Sequence, residues 1–370
     1  MRSFTGWQAM LGLIVLISFA GCGKDKKTDQ ANEPERSWDA KTPVASEQDS
    51  VKSSEYLSAD QSLQVGERFP LRKRVEQELL QDSLSGPSQQ VVSNLDVRFV
   101  FTVEDRVDKR TKLRVDYDRI LFSQRVGEDS VDFDSDQPPE ELSPTLQAFL
   151  NMSQSGFTCW LDEDLRIASV EQFDQFVASV LHGIPEEFHA DVVLEVETAS
   201  GDSGLADFIG EAIGQLPRNP RYRAGDQWER SFTLTRPIPM HSLNVYTLKR
   251  IESGVAVVDI RGKVTPSTTP VAVDEETGVR ITVTGGETVG SSEIDTDNGL
   301  PRRSETLQKI DMVVTLEGAL QFNQRKSIRT RVEAFREMDG TSAPVQIGES
   351  NPLREVNPKV SSHPLSTITE

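Results

Sequence analysis

Residues 95–122 read LDVRFVFTVEDRVDKRTKLRVDYDRILF. Leu95, Val97, Phe99, Phe101 and Val103 fall on alternate positions, and Leu113, Val115 and Tyr117 do so again. Successive side chains of a strand point to opposite faces, so this period marks two half-buried strands. Asp108-Lys109-Arg110-Thr111 between them is polar and predicts a hairpin turn. This part of the chain therefore reads as antiparallel sheet.

Working outward, RFPLRKRVEQELL (residues 68–80) fits a strand or a helix equally well. Strand patterns return from Arg221 to about Arg336, as in LNVYTLKRI, GVAVVDIRGKV, GVRITVTGGETVGSSEI and LQFNQRKSIRTRVEAF. Glu252-Ser253-Gly254 and Asp297-Asn298-Gly299 are tight-turn signals, since Asn-Gly tolerates positive φ. Gly285-Gly286 inside a strand pattern predicts a bulge or close strand packing. Between the two β regions the period changes to that of helices. Val170, Phe173, Phe176, Val177, Val180 and Leu181 form one apolar stripe that Pro185 ends. Residues 138–152 and 202–216 carry the same spacing, and residues 186–197 start a further helix.

The two β regions also share an outline. Val65-Gly66-Glu67-Arg68-Phe69 is similar to Ala224-Gly225-Asp226-Gln227-Trp228, each opening a strand and followed by a hairpin. GFTCWLDEDLRIASV and SSEIDTDNGLPRRSET then both read strand, Asp-containing turn, strand. Either the chain carries an internal duplication, or amphipathic strands resemble one another by chance. The fold expected is α+β: antiparallel sheet units of half-barrel type, related by that duplication if it is real, with an acidic helical segment between them. The boundaries are 63–126 for the first β unit, 127–217 for the helical segment, 218–336 for the second β unit and 337–370 for a loose, proline-bearing tail.

The first 62 residues carry an address. Arg2 precedes the continuous apolar run Trp7–Ala20, which has the length of an export signal and falls short of a comfortable membrane span. Phe19-Ala20-Gly21-Cys22 resembles a bacterial lipoprotein lipobox, with Phe19 where leucine is usual. That resemblance implies cleavage after residue 21 and a lipid on Cys22. The polar stretch 23–62 reads as a disordered tether, averaging about 35 Å end to end as a coil. An exported, lipid-anchored envelope protein is expected, facing the periplasm or the cell surface.

Four stretches carry a wider resemblance: the GDQW turn, YTLKRIESGVAVVDIRG, GVRITVTGGETVGS and DTDNGLPRRSE. Over about Gln64–Phe335 the chain resembles an uncharacterised family of exported bacterial β-rich lipoproteins, frequent in planctomycetes and known as a domain of unknown function. The resemblance implies no activity, cofactor or catalytic residue. The strand, turn, Gly-Leu-Pro pattern is also similar to half-barrel envelope lipoproteins that bind lipid tails, which implies an apolar ligand.

Among 370 residues, 40 Lys+Arg face 59 Asp+Glu, a formal charge of −19. Residues 127–217 hold 20 of the acids and one base, Arg166, leaving 39 of each sign elsewhere. An acidic balance argues against a nucleic-acid partner, whose phosphates are bound by Lys and Arg. The segment instead offers an acidic surface at Glu186, Glu187, Asp191, Glu195 and Glu197, suited to a basic protein partner, or simply a solvated face.

Candidate chemistry is sparse. Two cysteines exclude a disulfide scaffold, and Cys159 between apolar neighbours reads as buried and inert. Gly201-Asp202-Ser203-Gly204 looks like a serine-protease loop, but its helical flanks favour a helix cap. His182, Glu186 and His189 have ligand spacing that Pro185 interrupts. Asp132, Asp134 and Asp136 alternate as in a calcium loop, yet Gln137 and Ser143 stand where glycine and glutamate belong. Asp295, Asp297 and Gly299 read as a turn, and Asp226 and Trp228 as a turn with an aromatic anchor. We expect no cofactor, no metal site and no catalysis. The leading reading is a non-catalytic binding or interaction module, for an apolar ligand or a basic partner. The alternatives are an envelope hydrolase with a carboxylate site and a structural surface protein.

Overall fold

The computed structural model describes residues 63–82, 88–163, 165–199, 213, 215–216, 222–234, 240–266, 271–274, 279–316, 320–338 and 341–344. The signal-like run, Cys22, the tether, the Gly201–Gly204 loop and positions 345–370 lie outside them.

The hairpin of residues 95–122 is present. β2 (Gln89–Val107) and β3 (Arg110–Val126) pair antiparallel, joined by a turn in which Asp108 takes φ 55°. The ambiguous stretch 68–80 is strand β1 (Arg68–Gln81), because it pairs with β2 on one side and with β13 (Gln321–Met338) on the other. β5 (Gly156–Leu161) and β6 (Ile167–Glu171) extend the sheet beyond β3. Beyond β13 lie β12 (Pro301–Thr315), β11 (Val279–Asp295), β9 (Val255–Thr265), β8 (Met240–Glu252) and β7 (Gln227–Leu234). Short strands β4 (Asp129–Asp134), β10 (Val271–Asp274) and β14 (Thr341–Pro344) attach to β3, β11 and β13.

Every pairing is antiparallel, and β6 and β7 are the two open edges. The protein is thus mostly β, antiparallel with three short helices inserted between strands as expected, although the class expected was α+β and the two expected β units are one sheet. Pairing of β1 with β13, in register from Leu71↔Ala334 to Gln81↔Gln324, merges both halves into one sheet.

Among its described residues, the segment 127–217 also holds strands, while the expected helix over 202–216 lies almost wholly outside the described residues. It contributes β4, β5 and β6 beside three short helices: α1 (Pro144–Ser153), α2 (Phe173–Val180) and α3 (His189–Ala199). Val170, placed by period on the helical stripe, belongs to β6, while Phe176 and Val180 are buried as the stripe requires. The expected tail begins as the end of β13, which pairs with β14. No helix among the described residues is long and apolar enough to cross a membrane.

The helices cover the inner face of β1–β5. Phe99, Phe101, Val115, Tyr117 and Phe157 point inward there, and Phe176 of α2 stacks on Tyr117 at 5.9 Å. Phe149 of α1 meets Phe122 at 5.1 Å. Ser143 caps α1 by accepting from the Leu146 N–H, and Asn151 Nδ2 donates to the carbonyls of Val180 and His182, tying α1 to the end of α2. Gln77, inward on β1, donates to the Thr198 and Ala199 carbonyls at 2.7 and 2.9 Å, closing the last turn of α3.

The shared outline of the two halves recurs as geometry. Gly66 N donates to Val103 O at 2.8 Å, and Val103 N to Glu67 O at 2.9 Å. Gly225 N donates likewise to Leu248 O at 2.7 Å, and Leu248 N to Asp226 O at 3.0 Å. Both glycines have positive φ, 90° and 98°. Each site is followed by a register shift, Val103/Asp105 in one hairpin and Leu248/Arg250 in the other, then by a turn with a non-glycine residue at positive φ, Asp108 or Ser253. Asp162 N to Arg166 O and Asp295 N to Leu300 O then close the two Asp-containing turns.

Two outcomes follow from this packing. Gln77→Leu keeps the volume but removes the donor from two carbonyls, and should cost about 1–3 kcal/mol in urea unfolding. Glu195, on α3, accepts a hydrogen bond from Thr145 Oγ1 on α1, yet desolvation raises its pKa above the ordinary glutamate value. The folded chain then holds that proton more tightly than the unfolded one, so this site's stabilisation is full below about pH 4.3 and lost as pH rises through the folded pKa. Glu195→Gln, which can still accept from Thr145, should gain stability over wild type progressively as pH rises from 4 to neutrality. A difference in urea midpoint that is flat with pH contradicts this.

Candidate functional site

The inner face changes character between the two halves. Across β1–β5 it carries large apolar side chains. Across β8, β9, β11 and β12 the inward positions include Ser242, Asn244, Gly262, Thr288, Gly290 and Ser304, with Thr306 and Gln308 continuing along β12. The side chains of Ser242, Asn244, Thr288, Ser304, Thr306 and Gln308 line a cavity of about 450 Å³, within the usual range of ligand pockets. Its wall also includes residues 165–167 beside the β6 edge and Glu229–Thr233 of β7, so the sheet curls until its two edges face one space.

Two apolar clusters lie at either end of this polar band. At one end Trp228 stacks on Tyr246 at 5.7 Å over Leu248, Val258 and Ile294. At the other, Val264, Val283, Ile310, Met312 and Val314 join the main core. The expected anchor role of Trp228 is therefore present, and its Nε1 donates to Gln215 O at 3.1 Å. Asp226 closes its turn by accepting from Arg223 N.

Two glycines behind this wall let their neighbours pack against bare backbone. A Cβ on Gly262 would lie 1.9 Å from Asn244 Oδ1, so the bare backbone lets the Asn244 amide lie across β9. A Cβ on Gly290 would lie 2.4 Å from Glu305 O and 2.8 Å from Thr306 Cγ2. The expected irregularity at Gly285-Gly286 is a register shift between β11 and β12, with Gly285 at φ 153°.

Several hydroxyls and amides of this face have long hydrogen bonds or none among the described residues. Thr288 is 5% exposed and its Oγ1 has no hydrogen-bond partner among the described residues. Ser242 Oγ reaches Asn244 Oδ1 only at 3.4 Å, Ser292 Oγ reaches Arg303 O at 3.5 Å, and Gln215 Nε2 reaches Ser304 Oγ at 3.4 Å. All three exceed the usual 2.7–3.2 Å range. Among the described residues, charge enters from the edge strands and their flanks, through Arg166, Glu229 and Arg230. Arg166, the lone base of the acidic segment, thus belongs to the wall.

The residues singled out from sequence lie elsewhere. Glu186, Glu187 and Asp191 are exposed at a single 3-10 turn and the start of α3, whereas Glu195 is turned toward α1. Glu197's side chain lies outside the description. His189 Nε2 contacts Ile184 O at 2.8 Å, and among the described residues no group of three potential ligands could hold a metal ion. Arg119 engages both Asp134 and Asp136, and it holds the Asp134 carboxyl below its ordinary pKa. Asp295 pairs with Arg302 at 2.7 Å and closes its turn with Gly299 N. Burial pushes the Cys159 thiol up to about 12, which leaves no thiolate for chemistry.

Sequence reading missed the hydroxyl wall. Its signal was present in GETVGSSEI, where Thr288, Gly290 and Ser292 alternate in phase with the buried Ile294. It also missed Lys73, fully buried on the inner face between Val97 and Val332 of the flanking strands.

No curated protein matches the chain. Among solved structures it is similar to lipovitellin, in a structure titled for lipid-protein interactions, with TM-score 0.41 and 9% identity over 77% of this chain. It spans only 27% of that lipovitellin chain. Slighter likenesses are to OccK5 (OpdH) of Pseudomonas aeruginosa, with TM-score 0.22 and 7% identity over 73% of this chain and 98% of that one, and to an outer membrane channel of Pseudomonas putida F1, with TM-score 0.16 and 8% identity over 75% and 98%. Likeness at this level says nothing of function. By sequence, residues 108–301, just over half the chain and spanning most of the hairpins and the greater part of the cavity wall, match a family model, and the protein belongs to the Family of unknown function (DUF6263).

Proposed function

We propose that the protein is a non-catalytic binding module that holds a small molecule inside the curl of its sheet. The observation that carries this reading is the cavity itself, whose wall of Ser, Thr, Asn and Gln finds few close hydrogen-bond partners among the described residues. Glu229 is the one carboxylate of that wall among the described residues, whereas a carboxylate-based hydrolase needs two that converge. The repeated turns support descent of the two halves from one half-barrel unit, the first closed by its own helices and the second left to receive a ligand. The lipobox-like sequence before Cys22 supports a lipid anchor, with the tether holding the module off an envelope membrane.

Thr306→Phe puts a ring into the cavity from β12 without touching the turns. The full chain should bind at least one member of a panel of sugars, nucleosides, amino acids and fatty acids in native mass spectrometry. The variant should bind that compound at least about tenfold more weakly, with unchanged circular dichroism. A wild type that binds nothing from the panel, or a variant that binds equally well, overturns the reading.

A further inference from the structure

The chemistry of the wall narrows what it can hold. A ligand in this cavity replaces water around every group it covers, so each wall atom either finds a partner or pays for desolvation. The wall between the two apolar clusters is neutral, built of serine, threonine, asparagine and glutamine. A charged ligand body lying along β11 and β12 would lose its hydration among neutral side chains, since the charged lining residues among those described, Arg166, Glu229 and Arg230, sit beside β6 and on β7. A purely apolar body would bury Thr288 Oγ1, which has no hydrogen-bond partner among the described residues, and the loosely held Ser304 without compensation. A hydroxyl both donates and accepts, which is the match for side chains that do the same. Tyr246, Ile260 and Ile328 on the same wall supply surface for the C–H faces of such a molecule.

Resting on the reading of the protein as a binding module, we propose that the cavity takes a neutral, hydroxyl-rich small molecule, a polyol or short saccharide, with Thr288, Ser304 and Asn244 as its hydrogen-bonding partners. The molecule enters at the seam where the β6 and β7 edges face each other. Its ring or chain lies along β11 and β12, hydroxyls toward Thr288 and Ser304.

Calorimetric titration of the full chain, held in a polyoxyethylene detergent that carries no sugar, tests this with chosen probes. These are myo-inositol, glucose and trehalose as neutral polyols, cyclohexanol as the ring without its hydroxyls, and gluconate and glucosamine as charged counterparts. At least one polyol should bind, the other probes at least about tenfold more weakly. Thr288→Val removes only the hydroxyl. It should weaken polyol binding by about fivefold or more and leave the thermal midpoint equal to or above wild type, because a buried unpaired hydroxyl is lost. Preferential binding of cyclohexanol, gluconate or glucosamine overturns the ligand class while leaving a binding module. Equal polyol affinity in Thr288→Val overturns the assignment of this wall. If none of the six probes binds, and Thr306→Phe also alters no binding across the wider panel, both the ligand class and the module fall.

Discussion

The architecture hangs on one long-range pairing. β1 and β13 lie about 250 residues apart in sequence, yet they pair along eleven consecutive positions, from Leu71↔Ala334 to Gln81↔Gln324. On either side of that seam each strand joins its neighbour through a local hairpin or a short excursion. Without the seam the chain is two meanders with four exposed edges, which are prone to pair with other chains. With it, two edges remain and the sheet curls until both face the same cavity. Contacts of such separation close large loops late, so the seam is where folding of this chain is slowest and aggregation most competitive.

Once the two halves share a sheet, what lies on the inner face decides what each can do. Both halves open with the same glycine turn and the same shifted hairpin, so their backbones pose the same problem: a concave apolar face that needs a cover. The first half solves it within the chain. Phenylalanines at 99, 101, 157, 173 and 176 interlock under α1 and α2, and Gln77 fixes α3 over β1. The second half carries glycine and hydroxyl residues at the inward positions of β8 to β12, so no comparable core can form in the middle of the face. Small side chains there cost burial energy, roughly 25 cal/mol for each Å² of apolar surface not buried. A chain that forgoes this at one place while filling the rest of the same sheet has built a hollow.

Local pattern was legible and long-range pattern was not. The hairpin of residues 95–122 could be read because every inward position is apolar and every turn residue polar. β1 could not be told from a helix, because Lys73 and Gln77 occupy inward positions where a strand pattern calls for apolar residues. Their burial is explained only by elements far off in sequence, as Gln77 shows by bonding the end of α3. Val170 went to the wrong element for a related reason: β6 and α2 abut, and a strand ending two residues before a helix keeps a helical spacing by accident. The hydroxyl wall was hidden differently. Thr, Ser and Gly at inward positions look like the outward face of an ordinary strand, and only the register with β9 and β12 tells which face they share.

The charge distribution separates what the sheet needs from what covers it. On the outer face, cross-strand neighbours neutralise one another: Asp96 takes Arg72 and Arg74, Glu305 takes Arg329 and Arg331, and Asp311 takes Arg325. Such pairs lie between adjacent strands and favour one register over its neighbours, although each exposed pair contributes less than about 1 kcal/mol. Bases slightly outnumber acids in these strand regions, 30 Lys+Arg against 25 Asp+Glu over residues 63–126 and 218–336, so the acidic excess of the chain does not come from them. The acidic excess sits on the added cover, where Glu186, Glu187 and Asp191 face water. Those three acids stand apart from the strand register, whereas Asp134 and Glu171 of the same segment pair with Arg119 and Lys112 of β3. Where the cover does bury an acid, at Glu195, the fold bears a desolvation cost that rises with pH, so the excess charge is tolerated by the architecture without being required by it.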